Sequence, residues 1–372
     1  MTRTLPSKIG AALSAALATL WAAAPAPAQD ATPERSLRML NWAHYIDPAV
    51  LDDFTAETGV EVVYDVYNDS EAVEATLAAG GSGYDLAVVS TEYLGRLAEL
   101  GAIGPLDLAR LPGRSRLRAD LGAELAALDP GGSDEPYAVP YLWGTTGIGY
   151  DAAAVASRMP DAPVDSWAML FDPEVAARFA DCGIGMIDAP EQVVSSALAY
   201  LGHDPASADP AELEAALDRV RALVPHLRTF DTSPQEALAS GDLCVALVWS
   251  GDVLEARENQ GEGIEVAYSI PREGAVLWFD VLVVPSDAAQ AEAAHALVEF
   301  LLRPEVIARV TNTVSCPNPN AEAPPFVAPE ILADPAIYPP EAVMERLFAV
   351  TSRPPAEKAA LTRAWRRVKL GL

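Results

Sequence analysis

Between Leu37 and Leu100 the chain alternates short apolar runs with helix-spaced ones, and this alternation constrains the fold more than any other feature. Leu37 to Trp42, Val60 to Tyr67 and Leu86 to Ser90 read as strands. Asp47-Pro48 opens a helix through Ala56 that Gly59 ends; Glu71 to Ala79 forms a second, stopped by Gly80-Gly81, and Thr91 to Leu100 a third. Strand-helix-strand order predicts parallel strands joined by right-handed crossovers in a doubly wound sheet. The middle of the chain repeats the style. Gly183 to Asp188, Leu243 to Trp249 and Val276 to Val284 read as strands, and Glu191 to Leu201 and Ala211 to Leu223 as helices.

At 372 residues the chain is long enough for two domains. The expected class is α/β, with two lobes, each a mainly parallel doubly wound sheet, joined by crossing hinge segments. Ala138 to Tyr150 and Leu277 to Pro285 are the candidate crossings. Lobe 1 is drawn at 36–140 and 276–320, and lobe 2 at 141–275 and 321–372.

The first 28 residues read as an export signal. Arg3 and Lys8 precede an apolar run from Ile9 to Ala24, and Ala26-Pro27-Ala28 offers a small-x-small cleavage site before Gln29. No Cys follows that site, so the expected product is a soluble periplasmic protein without a lipid anchor. Export makes the cysteines interpretable, because oxidising compartments favour pairing. Of Cys182, Cys244 and Cys316, the first two border apolar strand-like runs and make the better structural pair.

The net charge of −28 repels phosphate backbones and anionic headgroups, which excludes nucleic acid and membrane surfaces as expected partners. Small cations are the ligands such a field tolerates. In open α/β sheets ligands sit beyond the carboxyl ends of the strands. Those ends are Trp42, Ser90, Asp188 and Trp249, followed closely by Tyr45, Gln192 and Asp252, while one crossing carries Trp278-Phe279-Asp280. Aromatic faces with carboxylates, and hardly any Arg or Lys among them, describe a box for an organic cation. Each residue also has a plainer reading. A Trp at a strand end packs in a core, Ser90 caps the next helix, and an isolated Asp faces water.

Several stretches resemble the periplasmic polyamine-binding proteins of ABC importers, the putrescine-binding branch most closely. They include Asn41-Trp42-Ala43-His44-Tyr45-Ile46, Tyr84-Asp85-Leu86-Ala87-Val88-Val89-Ser90, Asp188-Ala189-Pro190-Glu191 and Trp249-Ser250-Gly251-Asp252. Trp143 to Tyr150, Gly241 to Ala246, Pro271 to Ala275, Phe279-Asp280-Val281 and Ile337-Tyr338-Pro339-Pro340 extend the likeness over nearly all of the chain after the signal. The resemblance implies a type II-like periplasmic binding fold that closes over a protonated polyamine, putrescine first, and hands it to a membrane permease and its ATPase. It implies ligand contacts at Trp42, Tyr45, Ser90, Trp249, Asp252, Trp278 and Asp280, and a disulfide from Cys182 to Cys244.

Ala43, His44, Gln192 and Cys316 occupy box positions where that branch carries two hydroxyl residues and two acids, so they are departures from the pattern. No cofactor, metal site or catalytic residue is expected, and the protein is expected to be a monomer. The alternatives are an amine sensor on the same fold, a binder of a different organic cation, or an enzyme. The last would pair Cys316 as nucleophile with His44, His203, His226 or His295 as base. No Gly-x-Ser-x-Gly, phosphate-loop or His-Glu-x-x-His motif supports it.

Overall fold

A computed structural model of the chain describes residues 35–67, 70–231, 234–350 and 353–371. The export signal read at residues 1–28 lies outside the described residues. The first alternation is present as expected: β1 (Ser36–Trp42), α1 (Pro48–Thr58), β2 (Glu61–Tyr67), α2 (Ser70–Ala78), β3 (Leu86–Ser90) and α3 (Thr91–Glu99). The Asp47 carboxylate caps α1 by accepting from the Ala49 amide, and Gly59 ends it in the left-handed conformation at φ 69°. Local signals of this kind act through neighbours in sequence, which is why the boundaries agree within two residues.

The remaining strands are β4 (Ala138–Asp151), β5 (Ile184–Met186), β6 (Leu227–Phe230), β7 (Val245–Trp249), β8 (Val266–Ser269), β9 (Ala275–Val283) and β10 (Leu347–Ala349). They join one ten-stranded sheet in the order β2-β1-β3-β9-β4-β7-β5-β6, with β8 on β4 and β10 on β9. β2-β1-β3 is parallel, and so is β7-β5-β6. Between these triplets stand β9 and β4, antiparallel to each other and to the strands they flank. The two segments read as crossings are therefore themselves the central strands of the sheet. Both are buried along almost their whole length, so neither shows the alternation that would mark a strand with one wet face.

Side chains alternate across this sheet. Leu37 and Met39 of β1 pack with Val50 and Phe54 of α1 and with Leu297 and Val310 from the Ala291–Leu301 and Pro304–Val314 helices. Leu40 points the other way, toward Val89, Leu94, Trp143 and Phe279. In the second triplet Leu247 packs with Trp167, Val193 and Trp365, and its neighbours Ala246 and Val248 with Leu238 and Val253. Ala323 and Val327 pack in the cluster around β1. Among the described residues no helix is long and apolar enough to cross a membrane.

Cys182 and Cys244 are bonded, with Cα atoms 5.6 Å apart and a sequence separation of 62. The bond ties the loop before β5 to the residue just before β7, where the Cys244 amide also donates to the Gly183 carbonyl at 2.9 Å. A closed loop of that length removes enough unfolded-chain entropy to stabilise the fold by about 4 kcal/mol. Thermal unfolding with and without reductant should show the midpoint falling by roughly 6 °C on reduction. An unchanged midpoint with both thiols titratable would refute a stabilising role.

Candidate functional site

Pairing register, rather than sequence proximity, assembles the site. Ser90 at the end of β3 stands opposite Asp280 in β9, Trp278 stands opposite Gly144 of β4, and Trp249 at the end of β7 stands opposite Thr146. A Cβ on Gly144 would lie 2.2 Å from the Trp278 ring, so only glycine lets that indole lie against the strand. Four strand segments thus deliver their polar and aromatic ends to one region, where both halves of the sheet meet.

On the β1 side, the Trp42 indole N–H donates to Asp280 Oδ1 at 3.4 Å, and its ring lies 4.4 Å from that of Tyr67. The turn after Trp42 is fixed from outside. The Tyr141 hydroxyl donates to the Tyr45 carbonyl at 2.9 Å, and His44 adopts a left-handed backbone at φ 56°. The Tyr45 hydroxyl is buried beside Asp280 and Cys316 but meets no partner at hydrogen-bonding geometry. Burial, with Asp280 and Cys316 beside it, holds this phenol far above its usual range, so it remains a donor. Asp280 is only 7% exposed. Burial pushes its carboxyl up to about 6, while the neighbouring Tyr45 hydroxyl and the Trp42 indole donor pull it back.

On the β7 side, Gln192 Oε1 accepts from the Trp249 indole at 2.9 Å and from the Thr146 hydroxyl at 2.6 Å, which fixes the Trp249 ring. Asp252 lies in the first turn of the Ser250–Glu258 helix. Its Oδ2 is buried with no hydrogen-bond partner, and burial together with Glu255 pushes the carboxyl up to about 8. The Trp278 indole N–H is likewise buried and unpartnered. Unpaired polar atoms away from water are costly, so three of them on predicted site residues mark a place built for a guest.

Cys316 bridges the two sides. Its thiol packs in the cluster around β1, yet a Cβ on Gly251, next to Asp252, would come within 3.2 Å of its sulfur. Burial pushes the thiol up to about 12, with Asp280 and Asp252 adding to the rise. Such a thiol stays protonated and is a poor nucleophile. Of the candidate bases, His295 accepts from the Asp107 amide at 3.0 Å and His203 faces Glu212 at 3.3 Å.

Trp42, Tyr45, Ser90, Asp280 and Cys316 are thus brought together, and Trp249, Gln192 and Asp252 stand on the facing elements. Ala43 is half-buried, with its amide donating to the Tyr67 carbonyl at 3.3 Å, whereas His44 is exposed. Ser90 occupies the N-cap position of α3 without making a side-chain cap, so the capping reading does not account for its hydroxyl. Asp188, the remaining strand end, is taken up elsewhere. It accepts from the Trp365 indole at 2.6 Å and pairs with Lys369 of the C-terminal helix. The sequence reading passed over Thr146, and also Tyr268, whose hydroxyl donates to the Thr145 carbonyl at 2.9 Å beside Asp252. Neither carries a local signal, because each matters only through a partner distant in sequence.

Chemically, the arrangement offers two buried carboxyl groups flanked by indole and phenol faces. Among the described residues no Arg or Lys enters the surroundings that set either carboxyl. An ammonium group would meet π faces along its methylenes and an anionic acceptor at its end.

The model of the bacterial extracellular solute-binding protein family matches residues 49–339. The chain is 40% identical over 360 residues to the putrescine-binding periplasmic protein SpuD of Pseudomonas aeruginosa, covering 95% of this chain and 97% of that one. It is also 40% identical over 347 residues to the putrescine-binding periplasmic protein PotF of Escherichia coli, at 92% and 93% coverage. Among solved structures, a putative spermidine/putrescine ABC transporter protein from Listeria monocytogenes superposes with a TM-score of 0.78 at 29% identity, covering 90% of this chain and 99% of that one. A family match across most of the chain, two relatives of nearly equal length and one shared fold agree: the chain belongs to the bacterial extracellular solute-binding proteins.

Proposed function

We propose that this protein is the periplasmic binding component of an ABC importer and captures a cationic amine, with putrescine the first candidate. The observation that carries the reading is the pair Asp252 and Asp280. Both are withdrawn from water among aromatic faces, one has an unpaired oxygen, and among the described residues no basic side chain neutralises either. A short diamine spans two such acceptors, whereas an anionic ligand would meet two carboxyl groups with no Arg or Lys among the described residues beside them. The names of the 40% identical relatives support the same ligand class.

In this reading Trp42, Tyr45, Ser90, Trp249 and Trp278 wall the slot and Asp252 and Asp280 hold its ends. Ala43, His44, Gln192 and Cys316 fill margin positions. The residues come from two lobes, 36–140 with 276–320 and 141–275 with 321–372. The packing of Ala323 and Val327 with the β1 cluster argues for moving the last boundary past Tyr338. Closure bends β4 and β9, the strands shared by both lobes. The protein acts as a soluble monomer without a lipid anchor, presents its closed form to a permease and ATPase, and returns its ligand unchanged. The protonated state of Cys316 argues against thiol chemistry.

Calorimetry against putrescine, cadaverine, agmatine and spermidine tests the ligand, and small-angle scattering with and without saturating amine tests closure. Micromolar or tighter binding of at least one amine, with a smaller radius of gyration, is expected. Absence of binding to all of them would overturn the ligand class, and an unchanged radius at saturation would overturn the hinge.

A further inference from the structure

Two charged contacts join groups that belong to different halves of the molecule. Arg257 lies in the Ser250–Glu258 helix, whose Val253 and Ala256 pack with Ala246 and Val248 of β7. Asp334 follows the Pro329–Ala333 helix, whose Ile331 and Leu332 pack in the cluster around β1. Arg257 Nη1 donates to Asp334 Oδ2 at 2.7 Å, and the two side chains are only 28% and 25% exposed. Each partner is also held by its own half. Arg257 Nε donates to the Val266 carbonyl of β8 at 3.1 Å, and Asp334 Oδ1 accepts from the Ala336 amide at 2.8 Å. Both side chains are thus aimed before they meet, so the rotamer entropy that cancels most exposed ion pairs is already lost.

The second contact lies on the other face of the sheet. Lys358 belongs to the C-terminal Pro355–Lys369 helix, whose Leu361 and Trp365 pack with Leu247 of β7, opposite the face of Ala246 and Val248. Its ammonium stands 3.9 Å from Glu74 Oε2 of α2 and 4.5 Å from the centre of the Tyr93 ring of α3. Tyr93 packs with Leu40 and Val89, on the face of β1 opposite Leu37 and Met39. Glu74 is held within its own half by Arg96, whose Nε lies 2.5 Å from Oε1.

We propose that these two contacts form a clasp, one jaw on each face of the sheet, which exists only in the closed form and sets how long the ligand is held. The inference rests on the hinge and amine readings above and adds residues outside the slot. A bend in β4 and β9 that parts the halves separates both jaws, while the bonds that aim Arg257, Asp334 and Glu74 stay within one half. A contact made only in the closed form shifts the balance toward it and leaves the open, capturing form as it was. It therefore slows release without changing association. A half-buried, pre-aimed ion pair contributes about fivefold, and the longer Lys358 contact about threefold.

The test is stopped-flow binding and release of putrescine, with scattering and thermal melts, on the full chain and on its Arg257→Gln, Asp334→Asn and Lys358→Met variants. Asparagine at 334 keeps an acceptor for the Ala336 amide, so that variant removes the charge and little else. Arg257→Gln and Asp334→Asn should each speed release about fivefold, and together no more than either alone, because they share one contact. Lys358→Met should add about threefold independently, since its contact lies on the other face. Association rates should match wild type, as should the melting temperature of unliganded Asp334→Asn. Wild-type release from all three variants, or slower association in place of faster release, would overturn the clasp while leaving amine binding and the hinge intact. A lowered melting temperature in unliganded Asp334→Asn would also overturn it, because the pair would then exist without ligand. If the wild type binds putrescine at an unchanged radius of gyration the hinge reading fails, and if it binds no putrescine the first-candidate ligand fails. The clasp falls with either.

Discussion

Replacing Asp252 by Asn should lower putrescine affinity by about 10²- to 10³-fold while the unliganded protein stays folded. Truncating one partner of a buried charged hydrogen bond costs about 3–5 kcal/mol, because the other charge is left desolvated and unpaired. In the free protein the consequence runs the other way. The Asp252 carboxyl is held up to about 8 by burial and has an oxygen without a partner, so it contributes little to the fold. Its amide replacement should leave the unfolding midpoint unchanged or slightly raised. Calorimetry and thermal melts on the same preparations separate the two effects. Wild-type affinity in the variant would remove Asp252 from the site. Asp280→Asn should cost less, because the Trp42 indole already donates to that carboxyl.

Amine binding should weaken steeply on acidification from pH 8 to pH 5. In the free protein Asp280 sits at about 6 and Asp252 at about 8, both raised first of all by burial. An ammonium ligand requires them ionised, so below these values binding must displace protons, at up to tenfold in affinity per pH unit for each proton. Aliphatic amines near the ordinary lysine value stay charged throughout this range. The sign for stability is opposite. Carboxyls raised above the unfolded value near 3.9 keep protons that the unfolded chain has lost. Their contribution to the free protein is therefore greatest below about pH 4 and declines as pH rises to about 8. The rise in melting temperature produced by saturating putrescine should accordingly be larger at pH 8 than at pH 5. His44, at the margin of the box, is exposed. A His44→Asn variant with the same pH slope would assign that slope to the carboxyls, and a flat wild-type profile would refute the buried-acid site.

Much of the scaffold was legible residue by residue. The strand Leu86–Ser90 lies where its apolar run placed it, and Asp47-Pro48 and Gly59 mark the ends of α1 because capping is local chemistry. The strand-end rule brought attention to Trp42, Ser90 and Trp249, which the sheet does gather. It failed for Asp188. A helix more than 170 residues downstream supplies Trp365 and Lys369 to that carboxylate, and nothing near Asp188 announces them. The plain reading of Ser90 as a helix cap also failed, since its hydroxyl makes no such bond.

The sequence by itself determined the first six elements and their parallel order, the acidic character that selects a cationic guest, and the family resemblance. These properties are written in the spacing of neighbours and in total charge, and no distant contact is needed to read them. Only the tertiary structure decided which side chains share a site. Register in β4 and β9 sets Asp280 beside Ser90 and Trp278 on Gly144, and a slip of one residue would turn those side chains to the opposite face. The packing of Cys316 against Gly251 likewise depends on how the two halves of the sheet meet. The pKa values follow for the same reason, because burial arises from what the rest of the chain places around a carboxyl and not from the residues beside it in sequence.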